Sequence, residues 1–187
     1  MQTNISAHAN ELVSPLAQKA AEVSTSSLLS LGSGIIALVA TAAVAGFFYA
    51  YSSSVMFGLN ATAPDVALRA MQAINAEVRN SIFAMGFFGS AVFLLAAMAI
   101  MFIKSEPGAA LWFGAAAVVY IGGGFILTMA VNVPMNEALA IVDVSALPDP
   151  ATTWANYEAP WTFWNHVRTG FSLLSVVFAG IGLWSLR

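Results

Sequence analysis

Hydrophobic residues fill four long stretches of the chain, and polar residues gather in the segments between them. Each stretch is close to the roughly 20 apolar residues that cross the hydrocarbon core of a bilayer. The pattern therefore predicts an all-α fold, an integral membrane four-helix bundle. The predicted spans are residues 33–57, 81–103, 109–131 and 165–186. One membrane domain then covers residues 33–187, behind a polar N-terminal segment at residues 1–32.

The first long connector has the signals of a short amphipathic helix. Pro64 and Asp65 suit a helix start, because proline is tolerated in the first turn and an acidic side chain complements the helix dipole. Apolar positions such as Met71 then follow one face of the helix, and polar positions such as Asn75 follow the other. This helix runs towards the second span.

The second long connector also predicts a short amphipathic helix, with Pro134 in its first turn. A loop over residues 143–154 follows it, and the last helix is predicted to begin near Pro160. Four spans place both termini on one side of the membrane and both long connectors on the other. The polar side chains that could take part in binding or catalysis therefore collect at one membrane face.

Composition supports the membrane prediction and excludes several other classes of protein. The chain is 59% hydrophobic and 8% charged, with a mean hydropathy of +0.81, whereas soluble domains average roughly 25% charged residues. The absence of cysteine excludes disulfides, thiolate metal ligands and cysteine nucleophiles. A net charge of -3 without a basic run argues against nucleic acid as a partner.

The densest polar cluster lies at the start of the last helix, in "PWTFWNHVRT". Trp161, Trp164, Asn165 and Arg168 follow helical spacing and share a stripe. His166 points about 100° away from Asn165, and an imidazole can act as a base near neutral pH. The alternative is an interfacial belt, since tryptophan is enriched at headgroup depth and arginine can reach the interface there.

The first and third spans carry weaker polar stripes. Close helix packing explains their small residues as well as a site does. In the third span the stripe is Tyr120, Gly124, Thr128 and Asn132, and in the first it is Gly46, Tyr49, Ser53 and Phe57. Asn132 falls at the same membrane face as the polar cluster. Asn136 follows shortly after and either satisfies the local backbone or joins the site.

Charged residues near the predicted spans are expected to be paired, because charge is costly at that depth. Glu77 and Arg79 lie close to the second span, and Glu137 is a candidate partner for Arg79 or Arg168. The chain has no HxxxH or ExxH pattern, so no metal site is predicted. A metal ion bound by His166, Glu77 and Glu137 nevertheless stays an open alternative.

Four motifs resemble, in order and spacing, the anthrone oxygenase-like family of small membrane proteins, many of whose bacterial members have no assigned function. The motifs are "AGFFYAYSSSVMFGL", "AMQAINAEVRNSIF", "NVPMNEAL" and "WTFWNHVRT". The resemblance runs from about residue 35 to the end of the chain, and the last two motifs are the most specific. The matching motif positions are Met71, Asn75, Asn132, Pro134, Asn136, Trp161, Asn165, His166 and Arg168.

The resemblance implies a four-span bundle and a chemistry. Fungal members of the family oxidise anthrones to anthraquinones with O₂ and without a conventional organic cofactor. It therefore implies O₂ as co-substrate, an apolar anthrone- or quinone-like aromatic substrate, contact with membrane lipid, and a multi-pass location in a bacterial inner membrane. Bacterial relatives need not share the fungal substrate.

The resemblance also suggests roles for individual residues. His166 would remove an acidified C–H proton, while Arg168, with Asn165 or Asn136, would stabilise the enolate oxygen. Aromatic side chains would wall a planar substrate. The aromatic wall would comprise Tyr49, Trp161 and Trp164. The remaining candidates for substrate binding are Asn75, Glu77, Arg79, Asn132 and Glu137.

Two other functions stay open from the sequence. One is a non-catalytic membrane subunit that binds a small molecule or lipid and whose polar cluster locks the bundle. The other is a transporter, although four spans without a repeat offer little for alternating access. Lysine and arginine are equally divided between the two sides of the predicted bundle, so their count does not set its orientation in the membrane. If the arginines of the connectors serve the site, the termini are cytoplasmic. The oligomeric state is not indicated.

Overall fold

A computed structural model describes residues 28–186, and this part of the chain is helical without any strand. The helices are α1 (Leu28–Asn60), α2 (Pro64–Glu77), α3 (Ser81–Ile103), α4 (Pro107–Ala140) and α5 (Pro150–Trp184). A 3₁₀ turn, Val144–Ala146, lies between α4 and α5. The four helices other than α2 are long and apolar enough to cross a membrane. The predicted all-α bundle is therefore confirmed, and the chain is a multi-pass membrane protein; the polar segment at residues 1–27 lies outside the described residues.

Three of the spanning helices are longer than a bilayer requires. Helices α1, α4 and α5 have 33, 34 and 35 residues, or about 50 Å each, against a hydrocarbon core of about 30 Å. Helix α3 has 23 residues and joins α4 through a tight turn at residues 104–106. The extra length of α4 must therefore project on the side of the long connectors.

The structure corrects the predicted start of the last helix. Helix α5 begins at Pro150, and the carboxylate of Asp149 caps it by accepting hydrogen bonds from the backbone N–H of Thr152 at 3.1 Å and from its hydroxyl at 2.6 Å. These hydrogen bonds lower the pKa of Asp149. Pro160 lies inside the helix instead of starting it. The Asp-Pro pair supplies a complete start signal ten residues earlier, and transmembrane helices tolerate an internal proline.

Helix α4 also continues through a predicted boundary. The segment after Asn132 was expected to be a separate short helix, yet it extends the third span without a break to Ala140. Wide π-helical turns make the passage, at Tyr120–Ile126 and Thr128–Asn132, and a similar turn occurs in α1 at Tyr51–Val55. Such turns redirect side chains and are frequent at functional sites.

Two hydrophobic cores stack along the bundle. One lies between the spans and is built around Phe48, Phe87, Phe113 and Tyr120. The other lies at the connector end, where α2 packs over the projecting ends of the spans. Its members include Met71, Tyr157 and Trp161. The amide of Gln72 ties α2 down by donating to the carbonyls of Leu139 and Val142, both at 2.9 Å.

Candidate functional site

A cavity of about 550 Å³ lies at the connector end of the bundle. It begins beside Ser81, the first residue of α3, and reaches Phe88, about 10 Å deeper along that helix. Its aromatic wall consists of Phe47, Phe48, Tyr51, Phe83, Phe87, Phe88 and Trp161. Its polar lining consists of Asn75, Arg79, Asn80, Ser81, Thr128, Asn136, Glu137 and Arg168. We call this space the main cavity.

The guanidinium of Arg168 lies in the wall of the main cavity with only 4% of the residue exposed. Its Nε and Nη2 donate to Oδ1 of Asn165 at 3.0 and 2.8 Å, and Nη1 donates to the hydroxyl of Thr128 at 3.4 Å. A guanidinium has five N–H donors, so three are used and two remain for a ligand.

Aromatic rings flank Arg168, but no carboxylate does. Its guanidinium carbon lies 4.2 Å from the ring centre of Phe48 and 5.0 Å from that of Trp161. No Asp or Glu among residues 28–186 comes within 4.0 Å of it. A buried cation without an anionic partner is costly, and an anionic or strongly polarised ligand oxygen would offset that cost.

A chain of hydrogen bonds fixes the Trp161 ring beside the cavity. Oδ1 of Asn136 accepts from the indole N–H of Trp161 at 2.7 Å and from the hydroxyl of Tyr157 at 2.9 Å. That hydroxyl in turn accepts from the amide of Asn75 at 3.2 Å. The chain joins α2, α4 and α5 and holds Asn136 and Asn75 in the cavity lining. Asn75 is therefore buried, contrary to its predicted place on the polar face of α2.

Asn165 and Asn132 lie behind the cavity wall, not in it. Both are fully buried. Asn165 donates to the carbonyl of Phe48 at 2.9 Å and to the hydroxyl of Ser52 at 2.8 Å, so its role is to hold Arg168. Asn132 donates to the carbonyl of Trp161 at 3.4 Å, while its own side-chain oxygen has no partner among the described residues.

His166 lies outside the main cavity, although the sequence predicted it as the catalytic base. It is exposed, and its Nδ1 lies 2.8 Å from the hydroxyl of Ser52. The same hydroxyl accepts from Asn165, so His166 touches the Arg168 network only through two side chains. One residue of helix rotation, about 100°, separates it from Asn165 and turns it away.

Two of the three predicted wall aromatics also face away and are corrected. Tyr49 is 56% exposed, and the stripe of Gly46, Ser53 and Phe57 is exposed with it. Trp164 is half-buried and does not line the cavity. Of the predicted wall only Trp161 remains. Tyr51 takes the place predicted for Tyr49, with its ring 5.3 Å from that of Trp161.

The charged residues of the connectors lie at the mouth of the main cavity or outside it. Nη2 of Arg79 lies 3.6 Å from Oε1 of Glu137, which is one of the two pairings predicted. Both side chains line the mouth and are more than half exposed. Glu77 lies outside the main cavity. Within residues 28–186 no three side chains assemble a metal site, so the set of His166, Glu77 and Glu137 does not come together.

Sequence reasoning missed several residues of the site because they carry no polar signal or lie between the predicted loop and the predicted start of the last helix. Phe47, Phe83 and Phe87 look like ordinary apolar positions. Tyr157 follows the predicted loop, yet it precedes Trp161 by four residues. Extending the stripe of the last helix backwards at spacings of three and four would have found it.

Four spanning helices, with a buried arginine that no carboxylate of residues 28–186 pairs with and an aromatic cavity beside it, define a small multi-span membrane protein. The chain matches the anthrone oxygenase family over residues 79–178, more than half of its length. It therefore belongs to the anthrone oxygenase family, as its motifs suggested. No curated protein and no solved structure matches it.

Proposed function

We propose that this protein is a membrane oxygenase that uses O₂ to oxidise an apolar aromatic compound, anthrone- or quinone-like, at a C–H conjugated with a carbonyl. The observation that carries the proposal is the buried guanidinium of Arg168, which has unused donors, no carboxylate partner among residues 28–186 and a place in an aromatic cavity. Membership of the anthrone oxygenase family supports the same reaction class.

The dimensions and surfaces of the main cavity suit such a substrate. At about 550 Å³ it lies within the range of about 300–1,000 Å³ typical of small-molecule sites. The rings of Tyr51, Phe87 and Trp161 line the cavity and give it an aromatic surface for a planar ligand. With the ligand carbonyl at Arg168, the amide of Asn136 provides a second polar contact on the cavity wall.

The proposed reaction converts a CH₂ group and O₂ into a C=O group and water. A base takes one C–H proton, and the electron pair moves to the carbonyl oxygen, where Arg168 stabilises the enolate. The enolate carbon then transfers its electrons to O₂, a C–O bond forms, and protonation gives a hydroperoxide. Loss of the second C–H proton forms the new C=O bond, breaks the O–O bond and releases hydroxide, which takes up a proton as water.

Glu137 is the better placed proton acceptor in this scheme. It is the one carboxylate among the described residues that line the main cavity, whereas His166 lies outside it. Arg79 lies 3.6 Å from Glu137 at the mouth, and stabilisation of the enolate by Arg168 makes proton transfer to a carboxylate feasible. His166 reaches Arg168 only through Ser52 and Asn165. The protein supplies position and charge, and O₂ supplies the oxidising power without an organic cofactor.

A non-catalytic binding function is the second candidate, and the exposed position of His166 favours it. In that case the main cavity stores or presents an aromatic molecule, and Arg168 orients its oxygen without promoting proton loss. Binding without turnover would distinguish this function from the oxygenase.

Turnover of purified protein tests the proposed oxygenase. Anthrone is supplied to the protein in mild detergent, and O₂ consumption is followed together with anthraquinone formation. We expect one O₂ per anthraquinone, and we expect Arg168→Gln to lower kcat/KM by about 10²-fold, the usual loss for one oxyanion donor. Glu137→Gln should lower kcat more than His166→Ala does.

Lys104→Gln is the matched control, because it removes a cation in the turn at the opposite end of α3. It should leave turnover unchanged. Thermal unfolding of each variant separates loss of function from loss of fold. Anthraquinone binding without O₂ consumption would replace the oxygenase with the binding function. A folded Arg168→Gln variant with full turnover would contradict the proposed role of the arginine.

A further inference from the structure

A second cavity, of about 510 Å³, lies on the flank of the bundle between α1 and α3. We call it the lateral cavity. Its walls in the spans are apolar, formed by Ala43 and Val44 of α1 and by Ile82 and Gly86 of α3. Its polar rim consists of Glu77 and Asn80, at the end of α2 and the start of α3.

The lateral cavity opens on the exposed flank of two spanning helices. Ile82 is 81% exposed, and Ala43 is exposed as well. Both lie within helices long and apolar enough to cross a membrane, and an exposed apolar side chain in such a helix contacts hydrocarbon. An apolar molecule dissolved in the bilayer therefore meets this opening without passing through water.

The lateral and main cavities share a wall. Phe47 and Phe83 line both spaces, with their ring centres 4.8 Å apart, and both side chains are only half-buried. Tyr51, Val78 and Asn80 also line both. Rotation of partly exposed aromatic side chains is fast on the timescale of binding, so this pair can open and close without movement of a helix.

The mouth of the main cavity at the connector end is polar. Its mouth carries Arg79 and Glu137, whose side chains are 59% and 61% exposed. An apolar substrate that used this mouth would first leave the bilayer, which costs free energy in proportion to the apolar surface transferred to water. Entry through the lateral cavity avoids that transfer.

We infer that the lateral cavity is the entrance and first binding site for an apolar aromatic ligand from the bilayer, and that Phe47 and Phe83 form the gate to the main cavity. This inference rests on the proposed function, which requires such a ligand in the main cavity. Water and protons then enter and leave the main cavity through the polar mouth beside Arg79.

Binding kinetics of anthraquinone test the entrance. The full chain is placed in lipid nanodiscs, and stopped-flow quenching of tryptophan fluorescence gives kon and koff. Ala43→Phe fills the lateral cavity from α1, and Gly86→Leu fills it from α3. Each is expected to lower kon and koff together by about tenfold and to change Kd by less than threefold, because a blocked passage slows both directions.

Ala42→Phe is the matched control, since Ala42 is the neighbouring exposed alanine of α1 and lines neither cavity. It should bind at the wild-type rate. Wild-type kinetics in both Ala43→Phe and Gly86→Leu, or slowing by Ser81→Phe at the polar mouth instead, would overturn the lateral entrance and leave the proposed function intact. Failure of the wild type to bind anthraquinone at equilibrium would overturn both.

Discussion

The amide of Asn165 holds the guanidinium of Arg168 in place inside the bundle. One oxygen accepts two N–H groups of the guanidinium, and the amide nitrogen anchors to the Phe48 carbonyl and the Ser52 hydroxyl. The arginine is thus positioned by neutral dipoles, which hold its geometry but leave its charge uncancelled. A neutral acceptor suits a binding site, because a carboxylate there would compete with a ligand oxygen.

We predict that Asn165→Ala destabilises the protein by about 2–4 kcal/mol, because it removes the acceptor of two guanidinium N–H groups of Arg168 and a donor to the carbonyl of Phe48. Denaturation in detergent measures the loss. Ser53→Ala is the control: Ser53 is exposed and donates only to the carbonyl of Tyr49 in its own helix, so the change should stay within about 0.5 kcal/mol. Equal stability of the two variants would mean that Arg168 does not depend on Asn165.

At the scale of the elements, α5 presents one continuous buried stripe to the rest of the bundle. The stripe changes from aromatic to polar to small along the helix, so α5 contributes to the connector core, the site and the membrane core in turn. Its buried members are Trp154, Tyr157, Trp161, Asn165, Arg168, Thr169, Ser172, Ser175, Ala179 and Gly182. Small residues at the far end allow close packing of helices.

The contact of α5 with α4 at Gly123 gives a sharp prediction. A Cβ added there would overlap Cβ and Cγ of Phe171, which cannot yield without moving the backbone of α5. We expect Gly123→Ala to cost about 1–3 kcal/mol through overpacking. Gly122→Ala is the adjacent control, with nothing within 4 Å of the new Cβ. Thermal unfolding of the pair checks the prediction, and a Gly123→Ala protein as stable as Gly122→Ala would show that the helices are not in close contact here.

For the whole molecule, four crossings place the turn after α3 and the connector after α4 on opposite sides of the membrane. The chain has no cysteine, so a single introduced thiol reports its own side. We predict that Lys104→Cys and Ala146→Cys react with a membrane-impermeant maleimide from opposite faces of the bilayer. With the termini cytoplasmic, as the sequence analysis expected, Lys104→Cys reacts from the cytoplasm.

Sealed right-side-out and inside-out vesicles provide the measurement, and Val39→Cys within α1 serves as the unlabelled control because it lies in a spanning segment. Labelling of both loop thiols from one face would contradict the four-span topology. Labelling of the two thiols from opposite faces, but with Lys104→Cys reacting from outside the cell, would agree with the four-span topology and place the termini outside.

The sequence alone determined the class of fold, the number of spans and the membrane face that carries the polar residues. These follow from the lengths of the apolar stretches and from the chain alternating between the two sides of a bilayer, so they need no knowledge of packing. The motifs were also enough to identify the family, because they occur in a fixed order and spacing. The stripe of Tyr120, Gly124, Thr128 and Asn132 was predicted from spacing, and the structure buries all four residues.

The tertiary structure alone decided which polar side chains meet. Helical spacing gave the relative angles of His166, Asn165 and Arg168, but not the direction in which α5 faces, so it could not tell that His166 lies outside. The start at Pro150 brought Tyr157 into the same stripe. The packing of α1 turns inward the face that carries Val44, Phe48 and Tyr51, so Tyr51 lies in the wall where Tyr49 was expected. Burial of an aromatic side chain depends on its neighbours in space, and spacing along one helix does not contain them.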